Sequence, residues 1–170
     1  MVSELFIFLV GGLIIERLLE LRASRRNMAN LFARGGRERS GGHYPVIVAM
    51  HISFFFSIIT EYLVHGGQLP DYWWAAVIVF VLAQLLRLWS RLVLGERWTA
   101  RIVIVPGQPL IASGPYRFLP HPIYIAVALE LLSLPLIFGL CFTAIVFTVL
   151  NAMMLLLVRI PAERRALFEK

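Results

Sequence analysis

Five apolar stretches dictate what this chain can fold into. A helix needs about 20 mainly apolar residues to cross the hydrocarbon core of a bilayer, and residues 2–21, 44–64, 72–94, 123–134 and 138–158 meet or approach that length. The first is strictly apolar only over residues 5–15 and turns amphipathic through Glu16, Arg17 and Glu20. Hydrophobic residues make up 59% of the chain and charged residues 15%, against about 45–50% and about 25% in a soluble domain. The mean hydropathy is +0.80. So much apolar surface must face lipid. The expected fold is therefore an all-α integral membrane protein with five transmembrane helices, forming a single membrane-embedded domain over residues 1–170.

The last two stretches are separated only by the short segment 135–137, which opens with Pro135 directly after Leu134 at the end of the first. Proline cannot continue a helix without losing a hydrogen bond, and Gly139 follows closely. A tight hairpin of helices four and five is expected there, with one long kinked helix as the alternative.

The 16 Lys and Arg residues fix an orientation. Arg17, Arg22, Arg25, Arg26, Arg34, Arg37 and Arg39 fall around the segment after helix one. Arg87, Arg91, Arg97, Arg101 and Arg117 fall between the end of helix three and the start of helix four. Arg159, Arg164, Arg165 and Lys170 follow helix five. With five spans these groups share one face, which the positive-inside rule places in the cytosol, with the N-terminus outside and the C-terminus inside. The net charge of +6 then reports topology and contact with anionic headgroups, and a nucleic-acid partner is not needed to explain it. The connection over residues 22–43, with Gly35-Gly36 and Gly41-Gly42 among its arginines, reads as a flexible loop near the headgroups or a plain topogenic cluster. The N-terminus has no basic region and no small-residue cleavage site, so the first segment is expected to be retained. Cys141 is the single cysteine and can form no internal disulfide.

Ionisable and amide side chains inside spans usually face the bundle or a polar cavity. His51, Glu61, Gln84, Arg87, Glu130 and Asn151 are such groups. Arg87 and Arg91 either line that interior or snorkel to headgroups. Glu61 lies near the outer end of helix two, where water would solvate it. Asn151 suits an interhelical hydrogen bond. Glu130 needs a partner or a proton, and His51 is a candidate contact for a substrate.

Residues 95–126 are the informative stretch. Pro120 and Pro122 flank His121, so the backbone is extended there and joins helix four only afterwards. That sets an imidazole at the mouth of the bundle, beside a helix N-terminus that favours anionic groups. Arg159 and Glu163, with Pro161 between them, return charge to the same end after helix five.

Gly-Pro-Tyr-Arg at 114–117, His-Pro-x-Tyr at 121–124, Gly-x-x-Trp at 95–98 and Arg-x-Pro-x-Glu at 159–163 together resemble the isoprenylcysteine carboxyl methyltransferase family. These are small integral-membrane enzymes that use S-adenosylmethionine. The run from His43-Tyr44-Pro45 through Trp98-Thr99 and Ser113-Gly114-Pro115-Tyr116 is similar to a bacterial branch that O-methylates alkylpyrones and phenolic lipids. The resemblance implies a cofactor-binding part over about residues 95–170, with Gly114, Pro115, Tyr116, His121, Pro122 and Tyr124 in the cofactor loop and Arg159 and Glu163 on the helix closing over it. It implies Trp98 and Arg101 nearer the acceptor. The family's arginine before His-Pro is replaced by Pro120, and Arg117 or Arg101 is a candidate to supply that charge. The second of two adjacent glutamates in the C-terminal motif is replaced by Arg164. His121 or Glu130 would act as a base if the acceptor needs one.

The expected reaction is methyl transfer from S-adenosylmethionine to an oxygen, carboxylate or phenolic or enolic hydroxyl, of a lipophilic acceptor held in the bilayer. The expected setting is a bacterial plasma membrane, with the active site facing the cytosol and no metal. The alternatives are an NADPH-dependent reductase of the sterol-reductase type, whose ending is similar, and a non-catalytic membrane homologue.

Overall fold

The computed structural model describes residues 1–39 and 42–168. Gly41 and Lys170, which figured in the loop and charge expectations, lie outside them. In chain order the elements are α1 (Val2–Ala33), β1 (Arg37–Glu38), α2 (Tyr44–His65), α3 (Trp73–Leu94), β2 (Val103–Ile104), α4 (Pro122–Ile137), α5 (Cys141–Met154) and α6 (Ile160–Phe168). Single 3-10 turns occupy Gly95–Arg97 and Gly114–Arg117, and a π turn over Leu155–Arg159 joins α5 to α6. Helix dominates, but the all-α expectation needs one correction. β1 and β2 pair antiparallel, Arg37 opposite Ile104 and Glu38 opposite Val103.

Three helical stretches are long and apolar enough to cross a membrane: Tyr44–His65, Trp73–Arg97 and Cys141–Ala166. α4 is apolar but shorter. The apolar core gathers Phe6, Val10 and Leu13 of α1, Phe54 and Ile58 of α2, Phe80 of α3, Leu131 and Leu134 of α4, and Phe147 of α5. The rings of Phe6 and Tyr62 stack 3.8 Å apart, and Phe138 meets Phe6 edge-on at 5.1 Å. α4 packs mainly on α3 and α5. Small side chains permit that approach: Ala83 and Ser90 on α3, and Ala126 and Ser133 on α4, are buried at matching seven-residue spacing. Large apolar side chains such as Phe56, Leu63, Val81, Leu85, Leu92 and Leu156 point outward. In water that would be a liability, and in lipid it is the ordinary solvated face.

Two boundaries differ from the sequence reading. α1 does not end near Leu21 but continues to Ala33, so most of the expected loop over residues 22–43 is helix. Its 32 residues are about 48 Å long. Gly35 ends it in a left-handed conformation, φ +80°, with Gly35 N–H donating to the Phe32 carbonyl and Gly36 N–H to the Leu31 carbonyl. This is the paired-bond closure that glycine favours at a helix end. The second difference concerns the hairpin. Pro135 lies inside the last turn of α4, and the reversal occurs at Phe138–Leu140. Gly139 has φ +71°, Leu140 N–H donates to the Pro135 carbonyl and Gly139 N–H to the Leu136 carbonyl. The same closure thus ends both helices, and the proline contributes a carbonyl to it instead of breaking the helix upstream.

Glu61 is not merely solvated. Its carboxylate accepts from the backbone N–H groups of Phe142 (3.1 Å) and Thr143 (2.8 Å), capping α5 from the neighbouring α2.

Candidate functional site

The extension of α1 beyond Leu21 holds the loop that follows α3. Asn27 donates to the carbonyl of Trp98 at 2.8 Å, and the Ser24 hydroxyl accepts from Ala100 N–H at 2.9 Å. Arg34 pairs with Glu96 at 2.5 Å. The β1–β2 ladder secures the next residues, and Arg101 bonds Glu38 at 3.1 and 3.2 Å while its guanidinium covers the Tyr44 ring. The loop is thereby fixed across the mouth of the bundle.

Gly114 seats the other half. Its φ is +56°, and a Cβ there would lie 2.6 Å from the Val93 side chain of α3, so the turn can press against α3 only without a side chain. Pro115 is buried behind it. His121 precedes α4 with φ −137° and ψ 63°, outside the helical region, as the proline that follows it requires, but short of the fully extended backbone expected from the sequence.

Four side chains then converge. The Tyr124 hydroxyl donates to Glu163 at 2.6 Å and accepts from Arg159 Nε at 3.1 Å. His121 stacks on Tyr124 with centroids 5.1 Å apart, its Nδ1 3.7 Å from the Glu163 carboxylate. Arg159, 6% exposed, also donates to the Ala100 carbonyl at 2.8 Å and meets His43 Nε2 at 3.4 Å. The π turn sets these directions. It ends at Arg159, just before Pro161, and an inserted residue re-aims the side chains that follow it. Burial holds the Tyr116 hydroxyl protonated well above its ordinary range, with the nearby Glu163 carboxylate adding to the effect.

Two cavities meet at this network. One, of about 210 Å³, is lined by Arg97, Arg101, Tyr116, Pro120, His121, Pro122 and Glu163 among others. The second, of about 410 Å³, runs between the helices past Ile14, Leu18, Val48, Ile52, Phe55 and Val127. Trp98, Thr99, Ile123, Tyr124 and Arg159 line both. A polar, aromatic chamber at the loop end and an apolar chamber in the bundle thus share one wall.

The expected site residues divide accordingly. Tyr116, His121, Pro122, Tyr124, Arg159, Glu163, Trp98 and Arg101 surround the smaller cavity, while Gly114 and Pro115 do not line it and lie in the turn that packs against α3. His51 lines the larger one. Arg117 lines neither cavity: it is exposed, its guanidinium over the Phe118 ring. Glu130 lines neither as well. It is 2% exposed and accepts from Arg17 at 2.8 Å, with Arg87 at 3.8 Å. Glu130 belongs instead to a charged cluster that sequence reasoning did not assemble. Glu20 takes Arg87 in a two-point bond at 2.8 and 2.5 Å, Arg91 at 2.8 Å, and Arg17 as well. Arg87 is therefore buried and paired, not snorkelling. The available signal was the equal number of carboxylates and guanidiniums at one level of apolar helices. Among the described residues, no group of three or more His, Cys, Asp or Glu side chains is arranged to hold a metal.

The profile of the isoprenylcysteine carboxyl methyltransferase family matches residues 76–169, which include every member of the Tyr124 network except His43. The chain is 39% identical over 166 residues to the uncharacterized protein YpbQ of Bacillus subtilis (strain 168), a match spanning 97% of this chain and 98% of that one. No solved structure matches the chain significantly. Since the profile covers more than half of the sequence and the whole of the converging loop and helix, this chain belongs to the isoprenylcysteine carboxyl methyltransferase family.

Proposed function

We propose that the protein is an integral-membrane O-methyltransferase that uses S-adenosylmethionine and acts on a lipophilic acceptor drawn from the bilayer. The observation that carries this reading is the shared wall between a polar and an apolar cavity. A water-soluble donor and a lipid-soluble acceptor need separate entrances and one meeting point, which Trp98, Thr99, Ile123, Tyr124 and Arg159 would form.

The residues of the smaller cavity suit this cofactor. Glu163 offers a carboxylate to hydroxyl or ammonium groups. The stacked His121 and Tyr124 rings and the Trp98 indole offer flat π surfaces to a nucleobase and a cationic centre. S-adenosylmethionine, when bound, supplies a methyl group that is already activated. What remains for the protein is mostly positioning. Arg159 holds Tyr124, the Ala100 carbonyl and His43 in one frame. Tyr124 in turn fixes Glu163. Trp98, buried and shared by both cavities, keeps water from the meeting point.

The acceptor class that fits an apolar chamber ending at such a wall is an amphipathic molecule presenting a carboxylate or a phenolic or enolic hydroxyl, as in alkylpyrones and phenolic lipids. In this reading the chain spans a bacterial plasma membrane five times, α1 to α5, with the N-terminus outside and the cofactor cavity open to the cytosol.

Calorimetry with S-adenosylhomocysteine tests the reading directly. Saturable binding to the detergent-purified protein, lost in Glu163→Ala, is expected. A wild-type protein that binds neither this product nor S-adenosylmethionine would overturn it. Mass spectrometry of lipid extracts from cells with and without the protein, searching for a gain of one methylene, would then identify the acceptor.

A further inference from the structure

The larger cavity is apolar along its length, yet its inner end is polar. Tyr44 and Arg159 mark the end near the shared wall. His51 lies seven residues along α2 from Tyr44, and Asn151 eight residues before Arg159, which puts both about 10 Å deeper. They lie at one level because α2 and α5 are cross-linked by the Ser57–Thr143 hydrogen bond at 2.8 Å. His51 and Asn151 are each about two turns beyond it. Arg17 and Arg87 line the cavity too. Their partner Glu130 is six residues along α4 from Tyr124, again about 9 Å deep.

Two hydrogen-bond donors here have no acceptor among the described residues, Asn151 Nδ2 and Arg17 Nε, and Arg87 Nη1 has only the Glu130 carboxylate at 3.8 Å, beyond hydrogen-bond reach. Asn151 is 2% exposed and Arg87 7%. Unsatisfied buried donors cost stability, and native structures keep few without a reason. His51 complements them. Its Nδ1 donates to the Ile47 carbonyl at 2.8 Å, which leaves Nε2 as an acceptor on a ring that lines the cavity. The net charge of the level decides what these groups await. Arg17, Arg87 and Arg91 are matched by Glu16, Glu20 and Glu130, so a carboxylate arriving here would be an uncompensated charge. An uncharged oxygen would satisfy the donors without disturbing that balance.

We propose that Asn151, Arg17, Arg87 and His51 form a second polar subsite for the acceptor, which takes an uncharged hydroxyl or carbonyl oxygen about 10 Å from the oxygen that is methylated. The subsite rests on the reading of this cavity as the acceptor chamber. It narrows the acceptor from any amphipathic oxygen nucleophile to one with a further neutral oxygen, and it fixes how deep the molecule enters. Asn151 and His51 are thus specificity-determining residues that need not touch the reacting atoms.

The test is equilibrium binding, which requires no chemistry. The probes are meta-pentadecylphenol and the same phenol with a keto oxygen in its chain about 10 Å from the hydroxyl. Wild-type protein in detergent is expected to bind the keto phenol about tenfold more tightly, the worth of a buried hydrogen bond. In Asn151→Leu, which keeps the side-chain volume, the gap is expected to disappear while the protein melts no lower, because an unpaired amide has been removed. Asn151→Thr, which restores one donor, should recover part of the gap and serves if the leucine variant does not fold. Equal affinity of the two probes for wild type, or a gap that survives in the variants, overturns the subsite. S-adenosylhomocysteine binding, measured on the same samples, judges the methyltransferase reading separately: its absence would sink that reading while the probe comparison still decides the subsite.

Discussion

The Tyr124 hydroxyl stands 2.6 Å from the Glu163 carboxylate, and this bond ties the first turn of α4 to the C-terminal α6. Sequence separation between the two is large, and the chain between them makes a full hairpin. The position of α6 therefore depends on a contact made at the candidate site itself. Charge-assisted bonds of this kind are worth about 1.5–3 kcal/mol. Tyr124→Phe should weaken S-adenosylhomocysteine binding by about tenfold or more, read by calorimetry. It should also speed proteolysis near Arg164 and Arg165 in α6. Binding at the wild-type affinity would show that the bond closes nothing.

Gly114 tests the placement of the cofactor loop. A Cβ at this position meets Val93 at 2.6 Å with φ at +56°, so Gly114→Ala carries both a backbone penalty of about 1 kcal/mol and a steric one. The turn is expected to move off α3, carrying Tyr116 with it. Cofactor affinity should fall several-fold with only a small drop in melting temperature. Gly107→Ala is the control, since its φ is similarly positive at +79° but nothing lies within 4 Å. Equal binding losses in the two variants would mean that backbone strain alone matters.

The charged level inside the bundle makes a sharper stability prediction. Glu20 receives three arginines, so Glu20→Gln leaves guanidiniums buried with one carboxylate fewer. Removing one member of a buried pair costs about 3–5 kcal/mol, enough to prevent purification in mild detergent. Combining Glu20→Gln with Arg87→Met restores the formal balance and should regain a substantial part of the loss. Size-exclusion profiles and thermal melts of the single and double variants decide the matter. A single variant that melts like wild type would show that the cluster contributes little.

These relationships were unequally legible in the sequence. His121 could be found because its flanking prolines form a local pattern at a helix mouth, and local patterns survive in one dimension; Tyr124, Arg159 and Glu163 were singled out as site residues by the resemblance of their motifs to the family. The partners of Glu130 and Glu20 could not be found, since Arg17, Arg87 and Arg91 come from distant helices whose relative rotation depends on packing. Gly35-Gly36 was visible but read as flexibility, although a glycine pair after apolar and basic residues is also how a long helix ends. Pro135 misled in the opposite sense: proline marks the end of a helix within a turn, not to the residue. The short ladder of Arg37–Glu38 with Val103–Ile104 left almost no periodic trace, because two residues cannot show alternation.

A pH dependence follows from His43. Burial, and then the positive charge of Arg159, push its imidazole below the ordinary value of 6.5. Arg159 Nη1 can only donate, so the bond at 3.4 Å requires His43 Nε2 without a proton. The folded state thus binds fewer protons here than the unfolded chain, and stability must rise with pH through this range. The contribution is fully present above about pH 6.5 and is lost progressively as the pH falls below that value. Protonation would also set two cations side by side and displace Arg159 from Tyr124. Melting temperature and S-adenosylhomocysteine affinity should both fall between about pH 7 and about pH 5. In His43→Gln, which keeps a side-chain oxygen to accept from Arg159 but has no imidazole to titrate, that acid-side loss should be smaller for both measurements. Parallel curves for the variant and the wild type would exclude His43 as the titrating group.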